Sequence, residues 1–268
     1  MSAVFFGRGS SELAVLSGAE RNAPARQTSR PAKSLLPFTV RIVRTDQQLE
    51  RAVRIRSEAY SRHVPTLGEI LGAPESTDRS ADSIVFLAES KRDLEPLGTI
   101  RIQTNFNSPL PLEDSISLPD ALIERPMAGV SRLAVKAGPR GRLVKLALFK
   151  ALHRYCLAKQ VEYVLIGARP PLDQTYMELG FEDLFPDALP RPLSTAAGLP
   201  HRILSFEVFS AERKWHALSH PLYRFMGSSF HPDIEIFASV SNMWSRPRAR
   251  QLGAVGHVSQ QRLDIPLV

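Results

Sequence analysis

The 268-residue chain has a single cysteine, Cys156, and aromatic residues make up only 7% of the sequence. One cysteine excludes an internal disulfide and points to a reducing compartment. No apolar run approaches the ~20 residues that a membrane-spanning helix needs. The start of the chain lacks the charged residues and apolar core of a secretory signal. These absences together predict a cytoplasmic protein.

Several signatures of bound cofactors and metals are also missing. The sequence has no glycine-rich nucleotide fingerprint and no nucleophile elbow. Cys156 lies inside a predicted helix rather than at its N-terminus, which disfavours a reactive thiolate. His216 and His220 are four residues apart, but no glutamate lies between them and no third ligand is evident. We therefore predict neither a metal site nor a resident cofactor.

Positive charge, in contrast, is abundant. The net charge is +7 and the pI is about 9.8, which favours an anionic partner. Nine basic residues and no acidic residue lie between residues 125 and 161. They are Arg125, Arg132, Lys136, Arg140, Arg142, Lys145, Lys150, Arg154 and Lys159. A merely solvated helix usually mixes signs, so we interpret this stretch as a docking surface. Nucleic acid, a membrane surface, coenzyme A and an acidic carrier protein all fit the charge alone.

The pattern of apolar residues predicts four regions. Residues 1–37 are rich in Gly, Ser, Ala, Arg and Pro, which is typical of a flexible leader or an organellar transit peptide. Residues 38–210 predict strands near 38–43, 83–89, 97–104, 130–135, 163–166 and 203–208, with helices near 45–60, 143–159 and 172–179. This order predicts an α/β fold with a mixed sheet flanked by helices. A C-terminal helical extension follows at 211–244, with a helix near 211–226, and an Arg-rich tail occupies 245–268.

Two local patterns, taken with this order of elements, resemble the GNAT superfamily. The strand Val130-Ser-Arg-Leu-Ala-Val135 leads into the turn Arg140-Gly-Arg142 and a helix. The segment Tyr176-Met-Glu-Leu-Gly-Phe181 is similar to the superfamily's Tyr-x-x-x-Gly-Phe. Within the superfamily, residues 38–235 most resemble the long-chain N-acyl amino acid synthases and the related acyl-homoserine-lactone synthases.

Further residues carry this closer resemblance. They are Arg56-x-x-x-Tyr60 in the first helix, Asp78 and Asp82 before the second strand, Arg101 in a Gly-x-x-Arg strand, Ser131-Arg132, and the C-terminal segment from His220-Pro-Leu-Tyr223 to His231-Pro-Asp233. Two features depart from the relatives. Gly129 stands where they carry a glutamate, and the usual glycine-rich loop is shortened to Pro139-Arg-Gly-Arg142.

The resemblance implies transfer of a long fatty acyl group from an acyl-thioester to the amine of a small amino-acid substrate. The expected donor is acyl-carrier protein or acyl-coenzyme A. Its thioester and pantetheine arm would pair with backbone groups of Leu133, Ala134 and Val135, where that strand splays from the next. Its anionic end would meet Arg140, Gly141, Arg142 and Lys145 at a helix N-terminus. No nucleic-acid fold signature accompanies the basic stretch, so we predict no nucleic-acid partner, whereas peripheral membrane contact remains open.

The resemblance also assigns roles to side chains. Tyr176 is the expected general acid for the leaving thiolate, although a tyrosine that merely packs in the core fits its position equally. Arg132 and Ser131 are expected at the reaction centre, and Arg56, Tyr60 and Arg101 at the substrate. Each arginine could instead form an ordinary salt bridge, and Arg56 needs a buried partner such as Asp78 or Asp82. With Gly129 in place of an acid, the expected base is a water chain held by backbone carbonyls or Ser131.

Two other functions fit the same residues. One is a short-chain, coenzyme-A-dependent N-acetyltransferase, which needs no deep apolar tunnel. The other is a catalytically weak module that binds acyl groups or the carrier protein, which the missing acid at Gly129 favours.

Overall fold

A computed structural model describes residues 32–236 of the chain. The strands are β1 Ala32–Lys33, β2 Phe38–Ile42, β3 Ser83–Ser90, β4 Pro96–Thr104, β5 Met127–Val135, β6 Tyr163–Ala168, β7 Glu182–Asp183, β8 Arg191–Pro192, β9 Pro200–Glu207 and β10 Ser229–Phe230. The helices are α1 Asp46–Ser61, α2 Pro65–Ile70, α3 Gly141–Ala158, α4 Leu172–Glu178 and α5 Ala211–Ala217. Eight strands form one sheet in the order β2-β3-β4-β5-β6-β9-β7, with β8 beside β9. Only β5 and β6 run parallel within it.

The side chains of β4 show which helix covers each face of the sheet. Successive side chains of a strand point to opposite faces. Ile100 and Ile102 are buried in the main core together with Val144 and Leu148 of α3. Arg101, between the two isoleucines, instead bonds to residues beneath α1. Helices α3 and α1 therefore cover opposite faces, which confirms the predicted mixed sheet flanked by helices.

The predicted helix at 211–226 is wrong in its length. Helix α5 ends at Ala217, Ser219 adopts a φ of +47°, and a separate π-helical turn spans Arg224–Ser228. Pro221 has no amide hydrogen and disfavours helical geometry at the preceding residue, so one continuous helix cannot pass this point. The short strands β7 and β8 and the helix α2 are additional to the elements that the sequence predicts.

The C-terminal segment forms hydrogen bonds with the beginning of the domain. Strand β1 pairs with β10, and the Leu36 amide donates to the Asp233 carboxylate at 2.7 Å. The sequence-based boundary at residue 37 places residues 32–37 in the leader, whereas here they pair with the C-terminal segment. From α3, the buried ammonium of Lys150 donates to the carbonyls of Phe225 and Ser229, each at 2.5 Å. Residues 1–31 and the predicted tail at 245–268 lie outside the described residues.

None of the helices within residues 32–236 is long and apolar enough to cross a lipid bilayer.

Candidate active site

A buried ion pair lies between α1 and the sheet. Thr45 and Gln48 form the predicted capping box, in which Thr45 is the N-cap and α1 begins at Asp46. The inward face of this helix carries Arg56, whose side chain is 0% exposed. Its guanidinium donates to both Asp78 oxygens, at 2.9 and 3.0 Å. The partner is therefore Asp78 and not Asp82, whose carboxylate accepts hydrogen bonds from the loop at 107–108 instead.

Glu75 joins three arginines at this place. Its Oε2 accepts from Arg101 Nη1 at 2.9 Å and from Arg132 Nε at 2.8 Å, and its Oε1 accepts from Arg132 Nη2 at 2.7 Å. Arg56 Nη1 lies 3.3 Å from the same carboxylate. We call Arg56, Arg101, Arg132, Glu75 and Asp78 the arginine cluster. The sequence predicts its three arginines as site residues and Asp78 as one of two candidate partners of Arg56.

Glu75 is the member that sequence reasoning missed. It caps the 3₁₀ turn Ser76–Arg79, and Asp78 accepts a bond from the Glu75 amide at 2.9 Å. In a 3₁₀ turn, residues three apart lie on the same side, so the spacing Glu75-x-x-Asp78 was the available signal.

Both carboxylates of the cluster stay ionised at neutral pH. Burial is the largest influence and raises the pKa of Glu75, but hydrogen bonds from Arg132 and the charges of Arg101 and Arg56 outweigh it. Burial likewise raises the pKa of Asp78, and the bonds and charge of Arg56 outweigh it there. Each pKa therefore lies below its ordinary value. A carboxylate with a lowered pKa is a poor proton acceptor, so neither group suits the role of base.

A β-bulge turns Arg132 toward this cluster. Thr99 pairs with Ala134 and Arg101 with Ser131, so Ile100 lies opposite two residues of β5. Arg132 occupies the bulge with a φ of +56°, an uncommon conformation for a residue with a side chain. Its Nη1 donates to the Thr195 carbonyl at 3.0 Å. Ser131 Oγ accepts from Arg101 Nε at 3.2 Å, so the structure brings Arg101, Ser131 and Arg132 together.

Of the two predicted site tyrosines, Tyr60 lies beside the cluster and Tyr176 lies in the main core. Burial raises the pKa of Tyr60, although the charges of Arg132, Arg56 and Arg101 oppose this effect. Tyr176 on α4 is 3% exposed, and its ring packs edge-on against Phe149 with centroids 5.4 Å apart. Burial, and to a lesser degree Tyr60, raise the pKa of Tyr176 above its ordinary value. The ring is thus a core residue, and its hydroxyl stays protonated at neutral pH.

An open strand edge lies along the second half of β5. Strand β6 pairs with β5 only as far as Val130, which lies opposite Ile166. Within residues 32–236, the last five residues of β5 therefore have no paired strand on that side. A cavity of about 420 Å³ adjoins this edge. Its lining includes Val135, Lys136, Gly141, Arg142 and Lys145, with Thr175 and Leu179 of the α4 region on the other side. Burial lowers the pKa of Lys145.

The predicted donor-binding residues divide into two groups here. Val135, Gly141, Arg142 and Lys145 line the cavity. Ala134 lies opposite Thr99, and the alternation of an antiparallel ladder directs its amide and carbonyl to β4 instead of the cavity. Arg140 is the N-cap of α3 and is exposed.

The nine basic residues do not form one docking surface. Arg132 belongs to the arginine cluster, and Lys150 is buried beneath the C-terminal segment. Arg125 pairs with Glu162, and Lys136 pairs with Glu95. The run extends over β5, the turn after it and α3, and both strands and helices direct successive residues to different sides, so these charges lie in several environments.

Gly129 lies on the face of β5 that Ser131 shares, two residues away. Its backbone does not have a positive φ, and an added Cβ would lie 3.6 Å from Leu110 Cδ2 and 3.7 Å from Leu112 Cδ2. These are ordinary contacts, so the position has space for a side chain next to apolar groups. The two carboxylates of the arginine cluster come instead from the loop before β3, as Glu75 and Asp78.

Comparisons with known proteins identify the family and the fold. The sequence model of one family, N-acyl amino acid synthase FeeM, matches residues 51–200, more than half of the chain. The solved structure of FeeM, from uncultured soil microbes, is 18% identical, covers 70% of this chain and 97% of its own, and superposes with a TM-score of 0.53. At this identity, the structural similarity shows a shared fold and nothing further. No curated protein sequence matches the chain.

Two further solved structures are similar. A CoA-dependent acyl-homoserine lactone synthase, BjaI, is 18% identical with a TM-score of 0.48, covering 72% of this chain and 93% of its own. An acetyltransferase of the GNAT family from Staphylococcus aureus Mu50 is 14% identical with a TM-score of 0.43, covering 63% and 99%.

Proposed function

We propose, on the premise that this chain belongs to the N-acyl amino acid synthase FeeM family, that it transfers a long fatty acyl group from acyl-carrier protein to the amine of a small amino acid. The family makes the protein an N-acyltransferase. The carrier protein, the chain length and the amino-acid acceptor are the parts that we propose.

The open edge of β5 is the observation that carries the proposal. An extended pantetheine arm has amide groups that pair with a free strand edge as another strand would. The cavity beside this edge has Lys136, Arg142 and Lys145 in its lining, which favours an anionic group at the end of the arm. The N-terminus of α3 supports the same placement, because the partial positive charge of a helix N-terminus favours an anion.

The proposed reaction needs no covalent intermediate on the enzyme. The amine nitrogen attacks the thioester carbonyl carbon, the new C–N bond forms, and the C–S bond breaks. Tyr176 gives its proton to the departing thiolate, and backbone amides at the end of β5 stabilise the oxyanion. The proton of the amine leaves through ordered water held by Ser131 or backbone carbonyls, and a proton from water restores the Tyr176 hydroxyl. This water route is consistent with the lowered pKa values of Glu75 and Asp78.

The guanidinium groups of the arginine cluster are already bonded to carboxylates. We infer that the cluster attracts the acceptor by its net positive charge. Three arginines and two carboxylates leave a net charge of 3 − 2 = +1. Arg56 is bonded to Asp78, and Arg101 and Arg132 are bonded to Glu75. We infer that the residual charge draws the carboxylate of an amino acid toward Tyr60, and that Arg56 and Arg101 hold the site in shape.

A short-chain acyl donor is the second candidate, and one observation favours it. We call the cavity of about 420 Å³ beside β5 the donor cavity. A second, apolar cavity shares Leu179 with it and has a volume of only about 10 Å³. It is walled by large side chains, among them Phe149, Phe181 and Trp215. A long acyl chain could enter there only if these side chains moved.

A donor competition tests the proposal. The purified protein is incubated with pooled amino acids and with short, medium and long acyl groups on either carrier protein or coenzyme A. Products are identified by mass spectrometry and thiol release is measured in parallel. We expect long-chain N-acyl amino acids, formed faster from the carrier protein. Products only from short acyl-coenzyme A would favour the second candidate. Binding of donors without any product would favour an acyl-binding module.

A further inference from the structure

One hydrogen bond connects helix α1 to the donor cavity. Arg62 is the C-cap residue of α1, and its guanidinium is exposed. Its Nη2 donates to the backbone carbonyl of Val135 at 3.0 Å. Val135 lies 73 residues away in sequence and lines the cavity beside the open edge of β5.

The direction of the Val135 carbonyl follows from the pairing of β4 and β5. Val135 lies opposite Gly98, and the next amide, that of Lys136, donates to the Leu97 carbonyl at 2.9 Å. Hydrogen-bonded and non-hydrogen-bonded pairs alternate in an antiparallel ladder. Val135 is therefore in a non-bonded pair, and its amide and carbonyl point away from β4, toward the open edge. The guanidinium of Arg62 already occupies this acceptor.

We propose that Arg62 is a gating residue for the donor, holding the Val135 carbonyl that an amide N–H of the pantetheine arm takes when the donor binds. The inference rests on the proposed function, in which a pantetheine thioester is the donor. An arm that pairs along the edge of β5 meets Val135 as one of its acceptors. Arg62 must then leave, and an exposed side chain can leave easily because water satisfies its freed donors.

The position along the strand indicates which part of the donor is concerned. Val135 lies three residues beyond Arg132, or about 10 Å at the rise of an extended strand. The amide next to the sulfur is too close to the reaction centre to reach Val135. The second amide of pantetheine is farther along the arm and reaches it. A donor truncated after the first amide should therefore be insensitive to Arg62.

Two uncharged probes test this difference without turnover. One is an S-alkyl pantetheine, which carries both amides, and the other is an S-alkyl N-acetylcysteamine, which carries only the first. Binding of each is measured by calorimetry to the wild type, Arg62→Ala and Arg62→Gln. Arg54→Ala is the control, because Arg54 is an exposed arginine of the same helix. Neither probe has a phosphate, so a change of charge at residue 62 does not alter attraction to the probe.

We expect Arg62→Ala to bind the pantetheine probe about threefold to tenfold more tightly than the wild type, since one competing hydrogen bond is lost. Arg62→Gln should change in the same direction, and Arg54→Ala should match the wild type. The N-acetylcysteamine probe should bind all four proteins equally. Unchanged or weaker binding of the pantetheine probe to Arg62→Ala would overturn the inference, and so would an equal gain with both probes. A wild type that uses no pantetheine thioester in the donor competition would instead refute the proposed function.

Discussion

Arg56 and Asp78 form a two-bond ion pair beneath α1 in which neither side chain is exposed to solvent. Both ends of the pair have further partners, because Asp78 also accepts from Arg101 and Arg56 also contacts Glu75. A buried ion pair is costly to break from one side, since the remaining charge is left without compensation. The pair therefore holds the arginine cluster in one arrangement.

Asp78→Asn should lower the free energy of unfolding by about 3–5 kcal/mol, the usual cost of removing one partner of a buried pair. Urea denaturation measures this. Asp46→Asn is a matched control because Asp46 pairs with Arg79 at 2.6 Å on the surface, and exposed pairs contribute little. An equally small effect of both substitutions would contradict the structural role of the pair.

Acid should remove the same stabilisation. The pKa of Asp78 is lowered in the folded state, so its contribution is complete above the unfolded value, about 4. It is lost as the pH falls through the lower, folded value. The difference in stability between the wild type and Asp78→Asn should therefore shrink below about pH 4. Melting temperatures of both proteins across the acid range check this sign.

The sequence predicts the order of the main strands and helices because their apolar periodicity is long and regular. It also contains two local signals that the predicted elements and site residues do not use. His220-Pro221 marks the break after α5, and Glu75-x-x-Asp78 places two acids on one side of a turn. The positive φ of Arg132 has no such signal, because it arises from the bulge between β4 and β5. The burial of Lys150 likewise depends on a segment about 75 residues away.

Charge reversal at the donor cavity should weaken use of the donor. In the triple variant, Arg140, Arg142 and Lys145 become Glu. Because Arg142 and Lys145 line the cavity and Arg140 caps the same helix, donor KM should rise, more at low salt than at high salt. Kinetics at two ionic strengths measure the effect. Reversal of the exposed residues Arg54, Arg92 and Arg213 gives the same change of net charge away from the cavity. If both triple variants behave alike, the donor does not dock at the N-terminus of α3.

Tyr176→Phe should slow acyl transfer by ~10²-fold or more, because the ring remains while the proton donor is lost. Its packing against Phe149 and Phe181 is retained, so stability should change little. Tyr155→Phe is the control, because Tyr155 of α3 is also a largely buried tyrosine, in edge-on contact with Phe86 of β3. Single-turnover rates and thermal melts separate chemistry from folding. Wild-type rates for Tyr176→Phe would leave this residue with a packing role only.

Gly129→Glu tests how the amine loses its proton. Glycine at this position supplies no carboxylate, so the reaction depends on the fraction of amine already deprotonated. The wild-type rate should therefore keep rising with pH toward the pKa of the amine. A glutamate here would lie on the face of β5 that carries Ser131, next to Leu110 and Leu112. Apolar neighbours raise the pKa of a carboxyl group, which makes it a better base near neutrality.

The variant should thus be faster near neutral pH and less dependent on pH than the wild type. Gly129→Gln has the same size without the charge and should keep the wild-type profile. The backbone has no positive φ at this residue, so both side chains are compatible with the strand. Rates across neutral and alkaline pH for the three proteins decide the question. A folded Gly129→Glu protein with the wild-type pH profile would show that the base lies elsewhere, and the correspondence between Gly129 and the acid of the relatives would be withdrawn.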